Sequence, residues 1–255
     1  MAEFAAKVCR RKFSVGADGL ILIEDSSDSS AADFQWRFFN ADGSTAEMCG
    51  NGARCAARFA FLQGIAPAKM RFATLAGIIE AEVSGSDVAV KMTDPVRLNM
   101  EQHITVDNKE YTVHSIDTGV PHAVLFVDDI DQTDVQALGS RIRHHEPFLP
   151  AGTNVNFVQQ QGRQTDTVKV RTYERGVEDE TLACGTGAAA SAVIAALLGQ
   201  VASPVNIITS GGDQLAILFD RKEDKGSENG GVYNVFLKGP AYTVYSGELD
   251  AEALL

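Results

Sequence analysis

Trp36-Arg-Phe-Phe-Asn-Ala-Asp-Gly-Ser-Thr-Ala-Glu-Met-Cys-Gly-Asn-Gly-Ala-Arg54 and Lys169-Val-Arg-Thr-Tyr-Glu-Arg-Gly-Val-Glu-Asp-Glu-Thr-Leu-Ala-Cys-Gly-Thr-Gly-Ala188 carry one pattern twice. Each opens with alternating side chains that predict a strand. Each then turns, through Asn40-Ala-Asp-Gly43 in the first copy and Glu174-Arg-Gly176 in the second. Each reaches Cys-Gly-x-Gly-Ala, led by Cys49 or Cys184, where a helical run of small and apolar residues begins. Two Gly-rich turns could coincide by chance. The same pentapeptide at the same point of the same strand–turn–helix pattern, about half the chain apart, favours duplication: two pseudo-equivalent halves facing each other.

Other stretches fill in around this frame. Period-2 alternation and β-branched content predict strands over residues 20–24, 34–39, 70–73, 78–83, 88–92, 110–116, 123–127, 154–159, 167–173, 215–219, 232–237 and 241–245. Helices are predicted over 2–12, 55–62, 135–144 and 184–198. Residues 222–231 read as a charged, Gly-bearing surface loop. Residues 181–210 carry no charge, yet Gly199 and Pro204 interrupt them early and their side chains are small. That suits a helix buried inside a soluble domain better than a membrane span.

Composition sets limits. The 255 residues are 45% hydrophobic and 22% charged, enough to bury a core without disulfide or metal staples. The formal net charge of −12 opposes non-specific nucleic-acid binding and an anionic membrane surface. A local pocket can still take an anionic small molecule. Cys9, Cys49, Cys55 and Cys184 follow no secretory leader, so reduced thiols in a cytoplasmic setting are expected.

Both repeated cysteines sit where a helix begins. A helix N-terminus offers backbone N–H groups without intrahelical partners and a partial positive charge. That favours a thiolate and is expected to lower the thiol pKa. The same N–H groups, made approachable by glycine, can cradle a carboxylate. Two such motifs face to face would place an α-carbon between two sulfurs. One sulfur, as thiolate, removes the α-proton; the other, as thiol, protonates the opposite face and inverts the centre. Charge developing on the carboxylate meets N–H groups already aimed at it. No cofactor and no metal enters this logic, and no His or Cys lies at ligand spacing from either sulfur. A disulfide between the two is an alternative, read as an oxidised, inactive form. Cys9 and Cys55 lack the turn and the following glycine, and are expected to be small buried hydrophobes.

At these residues the chain resembles diaminopimelate epimerase. The likeness rests on Val15-Gly-Ala-Asp18, Phe39-Asn-Ala-Asp-Gly-Ser44, Met48-Cys-Gly-Asn-Gly-Ala-Arg54, Pro121-His122, Asn154-Val-Asn-Phe157, Tyr173-Glu-Arg-Gly176, Glu180-Thr-Leu-Ala-Cys-Gly-Thr-Gly187 and Gly239-Pro-Ala241, in family order over nearly the whole chain. The resemblance implies an α+β fold of two similar lobes, each a curved mixed sheet around a central helix. It implies lobes over residues 1–108 and 109–255, with about the last ten residues packing back on the first. It implies cofactor-independent epimerisation of LL-diaminopimelate to the meso form, in lysine and peptidoglycan precursor synthesis, by a cytoplasmic homodimer. Cys49 would work on the LL form and Cys184 on the meso form.

The resemblance also assigns the surrounding residues. Backbone of Gly50, Asn51, Gly185 and Thr186 would hold the reacting carboxylate. Asn40, Asn154, Glu174 and Arg175 would recognise the distal amino-acid end, with Arg175 pairing its carboxylate. His122 would sit near Glu174 and support a cysteine. Without the family match, Asn40 reads as a turn residue, Asn154 as a partner for loop backbone, Glu174 and Arg175 as a surface ion pair, and His122 as structural.

Two departures stand out. The family's N-terminal strand, with a Gly-Asn-Asp-Phe-like segment, has no counterpart before Ala2. Val120 stands where many members carry Asn, which removes a hydrogen bond worth about 0.5–1.5 kcal/mol. A proline-racemase-type enzyme is a rival, but it usually has Cys-Gly-His and Pro-Cys-Gly-Thr where this chain has Asn51 and Ala183. A non-catalytic relative generally lacks the cysteine pair.

Overall fold

Alternation along the chain becomes strand, and the two cysteine-led runs become helix. The computed structural model describes all residues except 47, 163, 164, 223–226, 228 and 255, so the loop read over 222–231 lies partly outside the described residues. The chain divides into two units, Met1–Val90 with Gly239–Leu255, and Lys91–Lys238.

The first unit holds α1 (Ala2–Val8), β1 (Gly19–Glu24), β2 (Phe34–Asn40), α2 (Gly50–Leu62), β3 (Lys69–Thr74), β4 (Gly77–Ser84) and β5 (Asp87–Lys91). These strands neighbour one another in chain order. β2 and β3 run parallel, which requires a crossover, and α2 supplies it. The helix buries Ala53, Ala56, Ala57 and Ala60, spaced for one face. Methyl groups let that face lie close to the sheet, and Phe34, Trp36 and Phe72 fill the space beneath. Phe34 and Phe72, opposite each other in register, stack with centroids 4.9 Å apart. The 3₁₀ turn Ala251–Leu254 contacts α1.

The second unit holds β6 (Val96–Val106), β7 (Lys109–Asp117), β8 (Pro121–Phe126), α3 (Val135–Arg143), β9 (Asn154–Gln160), β10 (Thr167–Glu174), β11 (Asp179–Thr181), α4 (Gly185–Leu197), β12 (Val205–Ile208), β13 (Gln214–Arg221) and β14 (Val232–Pro240). The sheet order is β6-β7-β8-β9-β10-β12-β13-β14, with β11 on β10. The parallel pairs β8–β9 and β10–β12 are crossed by α3 and α4. Period-2 alternation sends Val124, Val158, Val168 and Val170 to the α4 side. It sends Ala123, Leu125, Val155, Phe157 and Tyr173 to the α3 side. From Gly187 to Ala196 every α4 residue is buried, and the helix contacts β7, β8, β9, β10, β12 and β13. A mixed sheet thus wraps a helix that is small-residued on every side, as an α+β fold with a central helix demands.

Four sequence expectations change. The lobe boundary at residue 108 falls inside the second unit, because β6, absent from the predicted strands, pairs with β7. Its signal was the turn: Asp107 and Asn108 both adopt positive φ, 51° and 62°, as a two-residue hairpin requires. β12 was also missed, inside the uncharged stretch read only as helix and loop. Residues 241–245 form no strand; β14 instead runs on to Pro240, and Ala241 donates its N–H to the Ser86 carbonyl at 2.9 Å. The first helix ends at Val8, short of the expected residue 12.

Candidate active site

Cys49 is the N-cap of α2, in extended backbone at φ −147°, and its Sγ accepts the Gly52 N–H at 3.4 Å. Gly50 and Asn51 open the helix, where N–H groups have no intrahelical acceptor. No acidic residue lies in that first turn, so nothing on the helix neutralises its positive end. Arg54 lies one turn on and bonds back to the Gly50 carbonyl at 3.4 Å and the Asn51 side-chain oxygen at 3.3 Å. Asn40, at the end of β2, donates its amide to Ser44 Oγ at 3.0 Å, inside a turn closed by Asp42 and Ser44.

Cys184 repeats this placement on α4, as N-cap in extended backbone at φ −125°, again with no acidic residue in the first turn. Its Sγ lies 3.5 Å from Thr186 Oγ1. The carbonyl of Thr186 accepts from the buried hydroxyl of Thr118 at 3.0 Å, which ties the helix start to the β7–β8 turn. Its electrostatics depart from expectation. Burial pushes the Cys184 thiol up, and the charge of Glu174 adds to that. Hydrogen bonds from the Thr186 hydroxyl and from the backbone of Gly187 and Thr186 oppose both without reversing them. The helix start does favour the thiolate here, but desolvation outweighs it.

The turn that carries Cys184 is braced from below. Arg171 on β10 grips Glu180 on β11 through two hydrogen bonds of 2.8 and 2.6 Å, and also donates to the Ile130 and Thr133 carbonyls. Glu180 accepts from Ser210 as well, at 2.7 Å. The guanidinium beside it holds the Glu180 carboxyl below its ordinary range. β11 therefore has a fixed end only three residues before Cys184.

The residues expected at the distal end gather in the second unit. Asn154 accepts the Arg175 N–H at 2.8 Å and donates to the Pro121 carbonyl at 3.4 Å, so it joins β8 to the turn after β10. Glu174 accepts from Thr181 at 3.0 Å, and Arg175 reaches the Ala151 carbonyl at 3.5 Å. Glu174 and Arg175 form no ion pair with each other among the described residues. Both are half-buried; the charge of Glu174 acts on Cys184 and that of Arg175 on His122.

His122 is wholly buried. Its side-chain bond goes to Asn156, 2.9 Å from Nδ1, and the charge that acts on it is that of Arg175. Asn156 and Thr172 escaped sequence reasoning. The signal was available: Asn154 and Asn156 are two apart in a strand and share a face. Cys55 also differs from expectation, being exposed on α2 where a buried hydrophobe was foreseen; Cys9 is buried. Among the described residues no cluster of three or more His, Cys, Asp or Glu is placed to hold a metal. None of the described helices is long and apolar enough to cross a membrane.

Known proteins share this architecture. The chain superposes on a Bacillus anthracis phenazine biosynthesis protein of the PhzF family with a TM-score of 0.67 at 14% identity, covering 94% of this chain and 85% of that one. A probable proline racemase from Agrobacterium radiobacter K84 gives 0.66 at 16% identity, covering 99% and 83%. A methylitaconate-delta-isomerase gives 0.65 at 15%, covering 100% and 88%. At such identities the likeness is one of fold. Sequence relatives are nearer. The diaminopimelate epimerase of Aquifex aeolicus (strain VF5) is 51% identical over 255 residues, 99% of this chain and 87% of that protein. That of Hydrogenobaculum sp. (strain Y04AAS1) is 48% identical over 254 residues, covering 98% and 87%. The sequence pattern of the family described as diaminopimelate epimerase matches residues 1–98 and 114–235. With two cysteine-capped helix starts, this fold and relatives at such identity, the chain belongs to the diaminopimelate epimerase family and is an isomerase.

Proposed function

We propose that the chain epimerises LL-diaminopimelate to meso-diaminopimelate with Cys49 and Cys184 as its base and acid. The carrying observation is the recurrence of one device: a cysteine as N-cap of a helix whose first turn has no acidic residue. Each device offers a sulfur beside a donor-rich, positively biased helix start. The substrate follows from the named activity of relatives up to 51% identical.

In the LL-to-meso direction Cys49 acts as thiolate and takes the α-proton. The carbanion's charge spreads into the adjacent carboxylate, which the N–H groups of Gly50, Asn51, Gly185 and Thr186 stabilise. The Cys184 thiol gives its proton to the opposite face, and the thiol–thiolate pair ends reversed. The raised Cys184 thiol supports this order, since burial and Glu174 keep it protonated. Arg175 binds the distal carboxylate, with Asn40, Asn154 and Glu174 around the distal amino group. The reaction uses no cofactor, serves lysine and peptidoglycan precursor synthesis in the cytoplasm, and is carried out by a homodimer.

The test is solvent deuterium uptake at the α-carbon of diaminopimelate, beside proline as control. Cys49→Ala and Cys184→Ala are each expected to abolish epimerisation. Either variant turning over at the native rate sinks the two-base assignment, and uptake into proline alone sinks the substrate.

A further inference from the structure

Strand periodicity puts His122, Asn156 and Thr172 on the α4 side of the second unit's sheet, as it does their neighbours Val124, Val158 and Val170. Register brings them together. β8 and β9 run parallel beside each other, and Asn156 lies directly opposite Thr172 on β10. All three are buried. In an otherwise apolar layer of Val and Ala, this polar trio lies under the first turn of α4. A Cβ built on Gly187 would come within 2.3 Å of Asn156 Oδ1, 3.3 Å of Thr172 Oγ1 and 3.3 Å of Cys184 Sγ. Only glycine allows the helix to sit this low on the amide.

The hydrogen bonds fix which way each group points. Asn156 Nδ2 lies 3.2 Å from the Ala123 carbonyl, which can only accept, so that end of the amide is its NH₂. The other end, Oδ1, accepts from Thr172 Oγ1 at 2.9 Å. The NH₂ also faces His122 Nδ1 at 2.9 Å. Nδ1 must therefore accept, and the ring's hydrogen is on Nε2. That Nε2 is buried and meets no hydrogen-bond partner among the described residues.

We propose that Asn156 is a positioning residue for the Cys184 half-site: it locks His122 as a neutral Nε2–H donor and seats the turn that carries Cys184. Asn156 touches no reacting atom in this assignment. It acts through His122 on one side and through Gly187 on the other. The proposal rests on the cysteine reading above for its catalytic part; its structural part stands on the amide alone.

The first measurement is the ¹⁵N spectrum of His122 in the native chain near neutral pH, identified by its loss in His122→Gln. The expected result is one neutral ring with hydrogen on Nε2. A ring protonated on Nδ1, or averaging between tautomers, overturns the proposal. Two variants then probe the coupling. Asn156→Asp keeps the shape but replaces the donor by an acceptor, so His122 should acquire a hydrogen on Nδ1. Asn156→Leu removes donor and acceptor together, and the ring should average between tautomers.

Diaminopimelate turnover is read alongside. Each variant should lose kcat on the order of 10²-fold with KM changed far less, since geometry at the reacting turn is disturbed and distal binding is not. A folded Asn156→Leu with native kcat overturns the proposal. So does an Asn156→Asp chain whose His122 keeps the Nε2–H form. If the native chain itself fails to epimerise diaminopimelate, the cysteine reading fails, while the tautomer result still reports on Asn156.

Discussion

Lowering the pH should destabilise the second unit through His122. Burial, with the Arg175 charge beside it, pushes the imidazole from 6.5 down to about 3; the Asn156 NH₂ that faces Nδ1 favours the same neutral ring. The group is a base whose folded value is depressed. Its contribution is therefore complete above the unfolded value of 6.5 and is lost as pH falls from there toward 3. At about pH 5 the unfolded chain has gained roughly 1.5 pH units' worth of proton binding at this site, and the folded chain almost none. The loss from about pH 7.5 is then about 2 kcal/mol. That figure hardly depends on the folded value so long as it lies well below 5, which makes it a firm target. The assay is urea unfolding by far-UV circular dichroism at both pH values, for the native chain and for His122→Gln. Glutamine keeps an acceptor for Asn156 and cannot titrate. Carboxylates common to both chains cancel in the difference. The native chain should lose about 2 kcal/mol more than the variant between the two pH values. Equal losses would show that His122 already carries its proton or meets water in the folded state, and would refute the burial argument. Trp36, the single tryptophan, is buried in the first unit, so its fluorescence follows that unit separately.

Four further outcomes are expected. Gly187→Ala should destabilise by about 1–3 kcal/mol and cripple turnover, because its Cβ meets a buried amide oxygen. Gly52→Ala, whose Cβ comes no nearer than 3.2 Å to the mobile end of Ile21, should stay within about 1 kcal/mol of native in the same urea titration. Glu180→Gln should cost about 1–3 kcal/mol by halving the Arg171 grip, and kcat should fall with it as the Cys184 turn loosens. In the unliganded chain, alkylation of Cys184 by iodoacetamide should rise with a midpoint above 9.0, and Glu174→Gln should lower that midpoint by removing a charge that opposes the thiolate.

The sequence was most readable where chemistry and backbone needs coincide. Cys-Gly-x-Gly-Ala shows that a helix starts and what its first turn carries, and both copies are seated as read. The Ala-rich run of α4 showed a buried helix because no side chain in it needs water. Elements whose reason lies elsewhere in the chain were harder. β6 is the exception: Val96, Leu98, Met100, Ile104 and Val106 alternate with polar residues, a strand signal that was overlooked, and β7 pairs with it across a two-residue turn. β12 is four residues long and owes its state to β10 and β13 on either side. Asn156 was hidden for a similar reason. Nothing local distinguishes it from Asn154, which ties loop backbone. The role of Asn156 comes from what the register puts across from it and what α4 lays on top.

That contrast bears on how a duplicated motif can carry two roles. The two turns share backbone conformation, cap position and freedom from acidic residues. What differs is the layer beneath. Under α2 lie Trp36, Phe34 and Phe72, and a Cβ on Gly52 would meet only Ile21, Cys49 and Trp36. Under α4 lie Asn156, Thr172 and His122, with Glu174 charged nearby. Burial of Cys184, with the Glu174 carboxylate beside it, penalises negative charge on its sulfur. The two Cys-Gly-x-Gly-Ala turns therefore share a donor-rich helix start, and what surrounds Cys184 acts on the charge of its sulfur. The Cys184 thiol should therefore move when those surroundings are changed. Replacing Glu174 by Gln should lower the Cys184 midpoint, whereas Thr186→Ala, which removes a hydroxyl that bonds the sulfur, should raise it. Thiol titration by alkylation with mass-spectrometric readout separates the two. A Cys184 midpoint that Glu174→Gln leaves unmoved would refute the carboxylate's part in it.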